Sequence, residues 1–230
     1  MAVPKTLAAK QFYIGNVGFG SVAGDGVVQV KDLLTTTADP GEYDTMESEA
    51  PRLDFLKPTG LGYNSFYYIS DAYDGDDEVT GWCDMYGDIS YDEIPCGTAF
   101  WYIVPESEST YTTAGEVLSD ATVTKDVDVN KFMLIGNPWP IALSLKNLIT
   151  TLPAGEYDTM ESAAPRIDVL KPTGLGYNSF YYISDAYEGD NEVTGWADMY
   201  GDIPEEASAV AQEGFWVISP TSNGKITFTK

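Results

Sequence analysis

Two stretches of this chain carry almost the same text. Residues 41–89 and 155–203 align without a gap and differ at six positions: Glu49/Ala163, Leu53/Ile167, Phe55/Val169, Asp74/Glu188, Asp77/Asn191 and Cys83/Ala197. The offset from Gly41 to Gly155, 114 residues, is too long for a solenoid repeat and matches one small domain. Two tandem modules are therefore expected, residues 1–117 and 118–230, each long enough to bury its own core. A function wanted twice in one chain points to assembly or multivalent binding. A single catalytic centre is not expected, and the chain is read as no enzyme.

Composition narrows the partners. The formal charge is −24, and 43% of the 230 residues are hydrophobic. Such a chain folds rather than staying an acidic tail. Nucleic acid and anionic membrane would both be repelled. The acidity suits solubility, salty surroundings or divalent cations. There is no histidine, which removes the commonest general base, the usual serine and cysteine triads and His-ligated metals. No run of about 18 apolar residues offers a transmembrane helix, so no membrane insertion is expected. The opening MAVPKTLAAKQFYIGN lacks the charged and apolar regions of a signal peptide.

Period-two and β-branched patterns dominate. Phe12–Ile14 leads to a Gly15-Asn16 pair read as a turn. Arg52–Phe55 and Arg166–Val169 alternate, as half-buried strands do. In Ser65–Ile69 the rings of Phe66 and Tyr68 should share one face, Tyr67 and Ile69 the other. Phe100–Val104 and Phe215–Ile218 read as buried strands, and Lys225–Thr229, like Thr110–Thr113, as closing ones. Val127 and Val129 alternate with Asp126 and Asp128, so the seam between copies is expected to be the first strand of the second. Helix signals are thin: a turn or two at Leu143–Ile149, another at 205–212. The expected class is all-β, two tandem sandwich-like or barrel-like domains with little helix.

The second copy resembles a family of uncharacterised β-rich modules in secreted and cell-surface bacterial proteins. Its Gly136-Asn137-Pro138-Trp139-Pro140 corresponds to an opening Gly-Asn-Pro-x-Pro turn. Gly214-Phe215-Trp216 enters the closing strands, which end in Thr227-Phe228. The first copy is less similar: Gly15-Asn16-Val17-Gly18-Phe19-Gly20 lacks the prolines, and about seven residues are inserted near Val22–Val28. The resemblance implies a β-rich fold, a surface location and repetition, and brings no catalytic residues.

Three candidate sites follow. Asp71, Asp74, Asp76, Asp77 and Glu78, repeated as Asp185, Glu188, Asp190, Asn191 and Glu192, place five oxygen-bearing side chains around a glycine. That is much of a calcium shell, and both substitutions keep an oxygen, although the spacing is not that of an EF-hand. A solvated acidic hairpin is the alternative. The aromatic set, Tyr63, Tyr67, Tyr68, Tyr73, Trp82 and Tyr86 with their copies Tyr177, Tyr181, Tyr182, Tyr187, Trp196 and Tyr200, is read as core or interface residues or as a sugar platform beside carboxylates, with Tyr67, Trp82, Tyr181 and Trp196 as the leading candidates. Cys83 and Cys96 face Ala197 and Ala211 in the second copy, so both are lost together. A Cys83–Cys96 disulfide predicts that pattern and an oxidising setting, with up to about 3 kcal/mol of loop constraint; two unrelated core cysteines also fit.

The sequence thus leads to a structural subunit of an extracellular assembly, a filament or surface layer. It would self-associate into a homopolymer by strand addition, with the segment before Phe12 as donor and calcium as a stiffener. A secreted tandem carbohydrate-binding protein, with glycans as partners, is the alternative.

Overall fold

In the computed structural model, residues 2–7, 12–18, 26–104, 108–204, 208–209 and 213–230 are described. The first half contains β1 (Ala2–Leu7), β2 (Phe12–Asn16), β3 (Val27–Gln29), β4 (Thr35–Thr36), β5 (Arg52–Leu56), β6 (Tyr63–Asp74), β7 (Asp77–Cys83), β8 (Glu93–Pro95), β9 (Ala99–Ile103) and β10 (Ser109–Ala114). The second contains β11 (Thr122–Val127), β12 (Phe132–Gly136), β13 (Leu143–Ser144), β14 (Ile149–Thr150), β15 (Arg166–Leu170), β16 (Tyr177–Glu188), β17 (Asn191–Ala197), β18 (Ser208–Ala209), β19 (Gly214–Ile218) and β20 (Gly224–Thr229). Each half builds a five-stranded antiparallel sheet, β2-β9-β5-β6-β7 or β12-β19-β15-β16-β17, and a three-stranded one, β1-β10-β4 or β11-β20-β14. A two-stranded ribbon, β3-β8 or β13-β18, completes each set. The fold is all-β and the described sheets are open, so the barrel alternative is replaced by packed layers. The expected strand in the seam is β11, paired with β20.

The five- and three-stranded sheets enclose the main core of each half. In the first, Leu53, Phe55, Phe66, Trp82, Phe100 and Tyr102 meet Leu7 and Tyr111. In the second, Ile167, Val169, Phe180, Trp196, Phe215 and Val217 meet Val127, Ile226 and Phe228. Each such side chain contributes about 2 kcal/mol on leaving water. The expected split of FYYI between faces is observed, and both faces are covered. Phe66 joins the main core with Tyr68 packed against it. Tyr67 and Ile69 lie on the reverse of the sheet, under Met46 and Ala50. Met46 belongs to a short helical segment, Tyr43–Thr45 followed by Met46–Glu49, which is too brief to show a helical period in sequence.

Three expectations are corrected. Gly15 and Asn16 are the last residues of β2, paired with Phe100 and Ala99, and not a turn. The segment before Phe12 is no free donor: β1 pairs with β10 over its whole length, Ala2 opposite Ala114 and Leu7 opposite Ser109. The two cysteines are unbonded and both buried. Trp82 and Cys83 are neighbours on β7 and face opposite sides. Cys83 lies on the reverse of the sheet with Ile69 and Ala72, whereas Cys96 lies in the main core with Trp82. The sheet itself separates the thiols. Residues 205–207 and 210–212, part of the second expected helix, and Ala211 lie outside the described residues; Ser208–Ala209 between them is strand.

Across the seam the two five-stranded sheets meet through Ile14, Ala99, Leu56 and Trp101 on one side and Leu134, Leu170 and Trp216 on the other. Strand pairing makes Ile14 equivalent to Leu134 and Trp101 to Trp216. Two backbone bridges cross, Gly15 to Glu213 and Ile135 to Thr98, and each is the other with the halves exchanged. The ammonium of Lys125 donates to the Cys96 carbonyl at 2.8 Å, and burial pulls its pKa below the ordinary lysine value.

Candidate functional site

The acidic residues fall on the β6–β7 and β16–β17 hairpins. Each is closed by two residues, Gly75-Asp76 or Gly189-Asp190, with the glycine at φ +65 or +61, a conformation that a tight hairpin needs and glycine adopts without strain. A straight ladder aims successive side chains to opposite faces. Asp74 sits opposite Asp77, and Tyr73 opposite Glu78, so the five oxygens are divided between two faces. Asp71 accepts the Tyr43 N–H at 2.9 Å, as Asp185 accepts that of Tyr157. Asp74 accepts the Tyr91 hydroxyl at 2.8 Å, and that bond pushes the phenol's pKa up. Glu188 pairs with Lys146. Asp76, Asp77, Glu78, Asp190, Asn191 and Glu192 are exposed. Among the described residues, no group of three or more acidic or sulfur side chains is gathered as a cation would require.

The aromatic candidates are buried. Trp82 and Trp196 are 2% exposed, and Tyr67 and Tyr181 are 7% exposed, so none presents a ring to a ligand. The Trp82 indole N–H donates to the Leu34 carbonyl at 3.2 Å. The Trp196 N–H has no partner. Burial, with Asp84 nearby, raises the Cys83 thiol to about 12, which keeps it protonated and unreactive.

Other residues project instead, and they do so twice. In the turn after β7, the Asp84 carboxylate accepts the N–H groups of Tyr86 at 2.8 Å and Asp88 at 3.2 Å. Asp198 holds Tyr200 and Asp202 in the same way. This local bonding fixes the turn and leaves Met85 60% and Tyr86 70% exposed, matched by Met199 at 59% and Tyr200 at 72%. The turn lies against exposed neighbours. Tyr73 donates its N–H to the Gly87 carbonyl at 2.9 Å, and Gly87 rests on the Tyr43 ring. Tyr43 and Tyr73, themselves 42% and 49% exposed, thus flank Met85 and Tyr86 in one neighbourhood that also carries Asp44, Asp84 and Asp88, with Tyr157, Tyr187, Met199 and Tyr200 as its copy. Leu61 and Leu175, both 80% exposed, cap the β5–β6 and β15–β16 turns.

Sequence reading placed Tyr73 and Tyr86 in its aromatic set and passed over Met85, Met199, Leu61 and Leu175. The signal available was an apolar residue inside a turn, Asp-Met-Tyr-Gly or Thr-Gly-Leu-Gly, where no core is within reach. Among the described residues no helix is long and apolar enough to cross a membrane. No known protein family matches the chain, and neither does any curated protein or solved structure.

Proposed function

We propose that this protein is a non-catalytic, bivalent structural subunit whose two tyrosine–methionine faces join copies of the chain into an extended assembly, a filament or surface layer. The observation that carries the reading is the matched exposure of Met85-Tyr86 and Met199-Tyr200. Exposed apolar patches with polar rims are commonly contact surfaces, and tyrosine and methionine are enriched where proteins meet. Sequence drift would be expected to erase an unused apolar pair on a turn in one half or the other. A subunit with two equivalent sites, each closing on its like in another copy, grows linearly. Strand addition through the N-terminus is not part of this reading, because β1 is already paired.

The location proposed is extracellular or at the cell surface, on the strength of the family resemblance. Calcium enters as a cation drawn to the carboxylate rims of the contacts, where like charges from two copies would otherwise repel.

Sedimentation velocity over a concentration series, with negative-stain electron microscopy in millimolar calcium and in EGTA, tests the reading. The wild type is expected to form filaments or sheets. The Met85→Ser/Tyr86→Ser variant, with one working face, should stop at dimers, and disabling both faces should leave monomers. A wild-type monomer at every concentration with calcium present overturns the proposal.

A further inference from the structure

Thiols and thioethers are the side chains that a peroxide attacks first, and access decides which of them react. Most of the sulfur in this fold is shielded. Cys83 and Cys96 are both buried. Met46 and Met160 are 8% exposed, packed on the reverse of the two five-stranded sheets with Ile69 and Ile183. Met133 packs against the second main core, and its sulfur accepts the Asp128 N–H at 3.2 Å. Among the described residues Met85 and Met199 are the exceptions, at 60% and 59% exposed.

The turn holds each of them out. Beyond the two N–H groups that its carboxylate accepts, Asp84 donates its own N–H to the Asp88 carbonyl at 2.9 Å, and the Gly87 N–H donates to the Asp84 carbonyl at 3.2 Å. Asp198, Gly201 and Asp202 repeat both bonds at 2.8 and 3.1 Å. Gly87 and Gly201 close the turns at φ +86 and +87, in the left-handed region that glycine enters without strain. The backbone is thus tied on both sides of the methionine. At such exposure an oxygen atom added to the sulfur displaces no core, so its effect is confined to the surface.

We propose that Met85 and Met199 are a matched pair of oxidation sites, at which a peroxide converts each thioether to its sulfoxide and thereby opens the contact between copies. The inference rests on the reading of these turns as assembly faces. The step is a transfer of one oxygen atom: the S–O bond forms, the peroxide O–O bond breaks, the sulfur loses two electrons, and hydrogen peroxide leaves as water. It changes a flexible apolar side chain into a polar one. A contact between two like faces would then bury two sulfoxides, one from each copy, and burying a polar group without a compensating hydrogen bond is costly. Because the two exposures match, both faces should be switched together.

The test treats the full chain with hydrogen peroxide at a dilution where copies are apart, removes the peroxide, and maps the added oxygen by peptide mass spectrometry. Sedimentation velocity then follows association as the protein is concentrated. Met85 and Met199 are expected to gain one oxygen atom each, at similar rates and ahead of Met46, Met133 and Met160. Association should weaken about tenfold or more at each contact, and the two methionine sulfoxide reductases, one for each epimer, should restore it. Compared with its own untreated form, Met85→Leu/Met199→Leu should show no change on peroxide treatment, since it has no thioether at either turn. Equal oxidation of Met46 and Met160 overturns the proposal, as does a peroxide response in the leucine variant. The untreated wild type separates two failures. If it stays monomeric, the assembly faces are wrong and the oxidation switch falls with them. If it assembles and its sulfoxide form assembles equally well, the faces stand and the switch alone fails.

Discussion

The indoles of Trp101 and Trp216 meet across the seam with ring centroids 6.4 Å apart and planes inclined at 51°. They hold equivalent places on β9 and β19, opposite Ile14 and Leu134. The seam is therefore one surface meeting its like, as in an isologous dimer, but within a single chain. Such an arrangement leaves each half's outer turns free and makes the two tyrosine–methionine faces equivalent sites.

The tightest point of that seam is Gly214. A Cβ there would lie 2.4 Å from the Cβ of Ala99 and 2.7 Å from Cγ2 of Ile14. Neither neighbour is the free end of a long side chain, so the sheets would have to part. Gly214→Ala is expected to destabilise by about 1–3 kcal/mol, the usual range for overpacking. Urea denaturation checks this, and an unchanged midpoint would show that the halves do not meet as described.

The two core tryptophans offer an internal control. Trp82 donates to the Leu34 carbonyl, while the Trp196 N–H is buried without a partner. Replacing either by phenylalanine removes similar volume. Trp82→Phe also leaves a buried carbonyl short of a donor, whereas Trp196→Phe removes an unpaired polar group. Trp82→Phe should therefore cost about 1–2 kcal/mol more. Equal losses in thermal or chemical denaturation would refute the asymmetry.

Much of the fold is legible because strand periodicity is local. The split of Phe66 from Tyr67 and the strand within 118–129 can be read from neighbours in the chain. What is not local stays hidden. Arg52 and Asp54 look like the wet side of a half-buried strand, yet they face the seam and Asp54 is buried. Nothing in RLDF says that a second sheet covers that side. Lys5 and Pro4 make the N-terminus look like a loose arm, but Pro is tolerated on an edge strand, and that is where β1 lies. Thirteen positions in sequence, Cys83 to Cys96, do not reveal that a sheet stands between them. The first acidic hairpin keeps five carboxylates close in sequence and the second four, and a ladder turns them to different faces.

Alkaline pH should unfold the first half through its phenols. Burial raises the pKa of Tyr102, and raises Tyr111 and Tyr13 well above 10.0, the last with help from Tyr111 and Glu213. A group raised in the folded state binds its proton longer there than in the unfolded chain. Its contribution is intact below the unfolded value, near 10, and is lost as pH climbs toward the folded value. Stability should fall steadily above about pH 10. Tyr111→Phe, read by denaturant midpoint against pH, should flatten that decline; an unaltered slope would exclude Tyr111 as a contributor.

The thiols supply the last test. Cys83 is buried, donates weakly to the Tyr67 carbonyl at 3.4 Å and has its pKa raised to about 12. The native protein is expected to be silent toward a thiol reagent at mildly alkaline pH and to show both of its cysteines once denatured without reductant. Dithiothreitol should leave the melting temperature unchanged. Alanine already serves at the equivalent Ala197, which is fully buried in the matching cluster. Cys83→Ala should therefore cost no more than about 1 kcal/mol, a small core truncation. A melting temperature that drops sharply with reductant would mean that a disulfide forms after all, and would require β7 and the segment around Cys96 to pack differently.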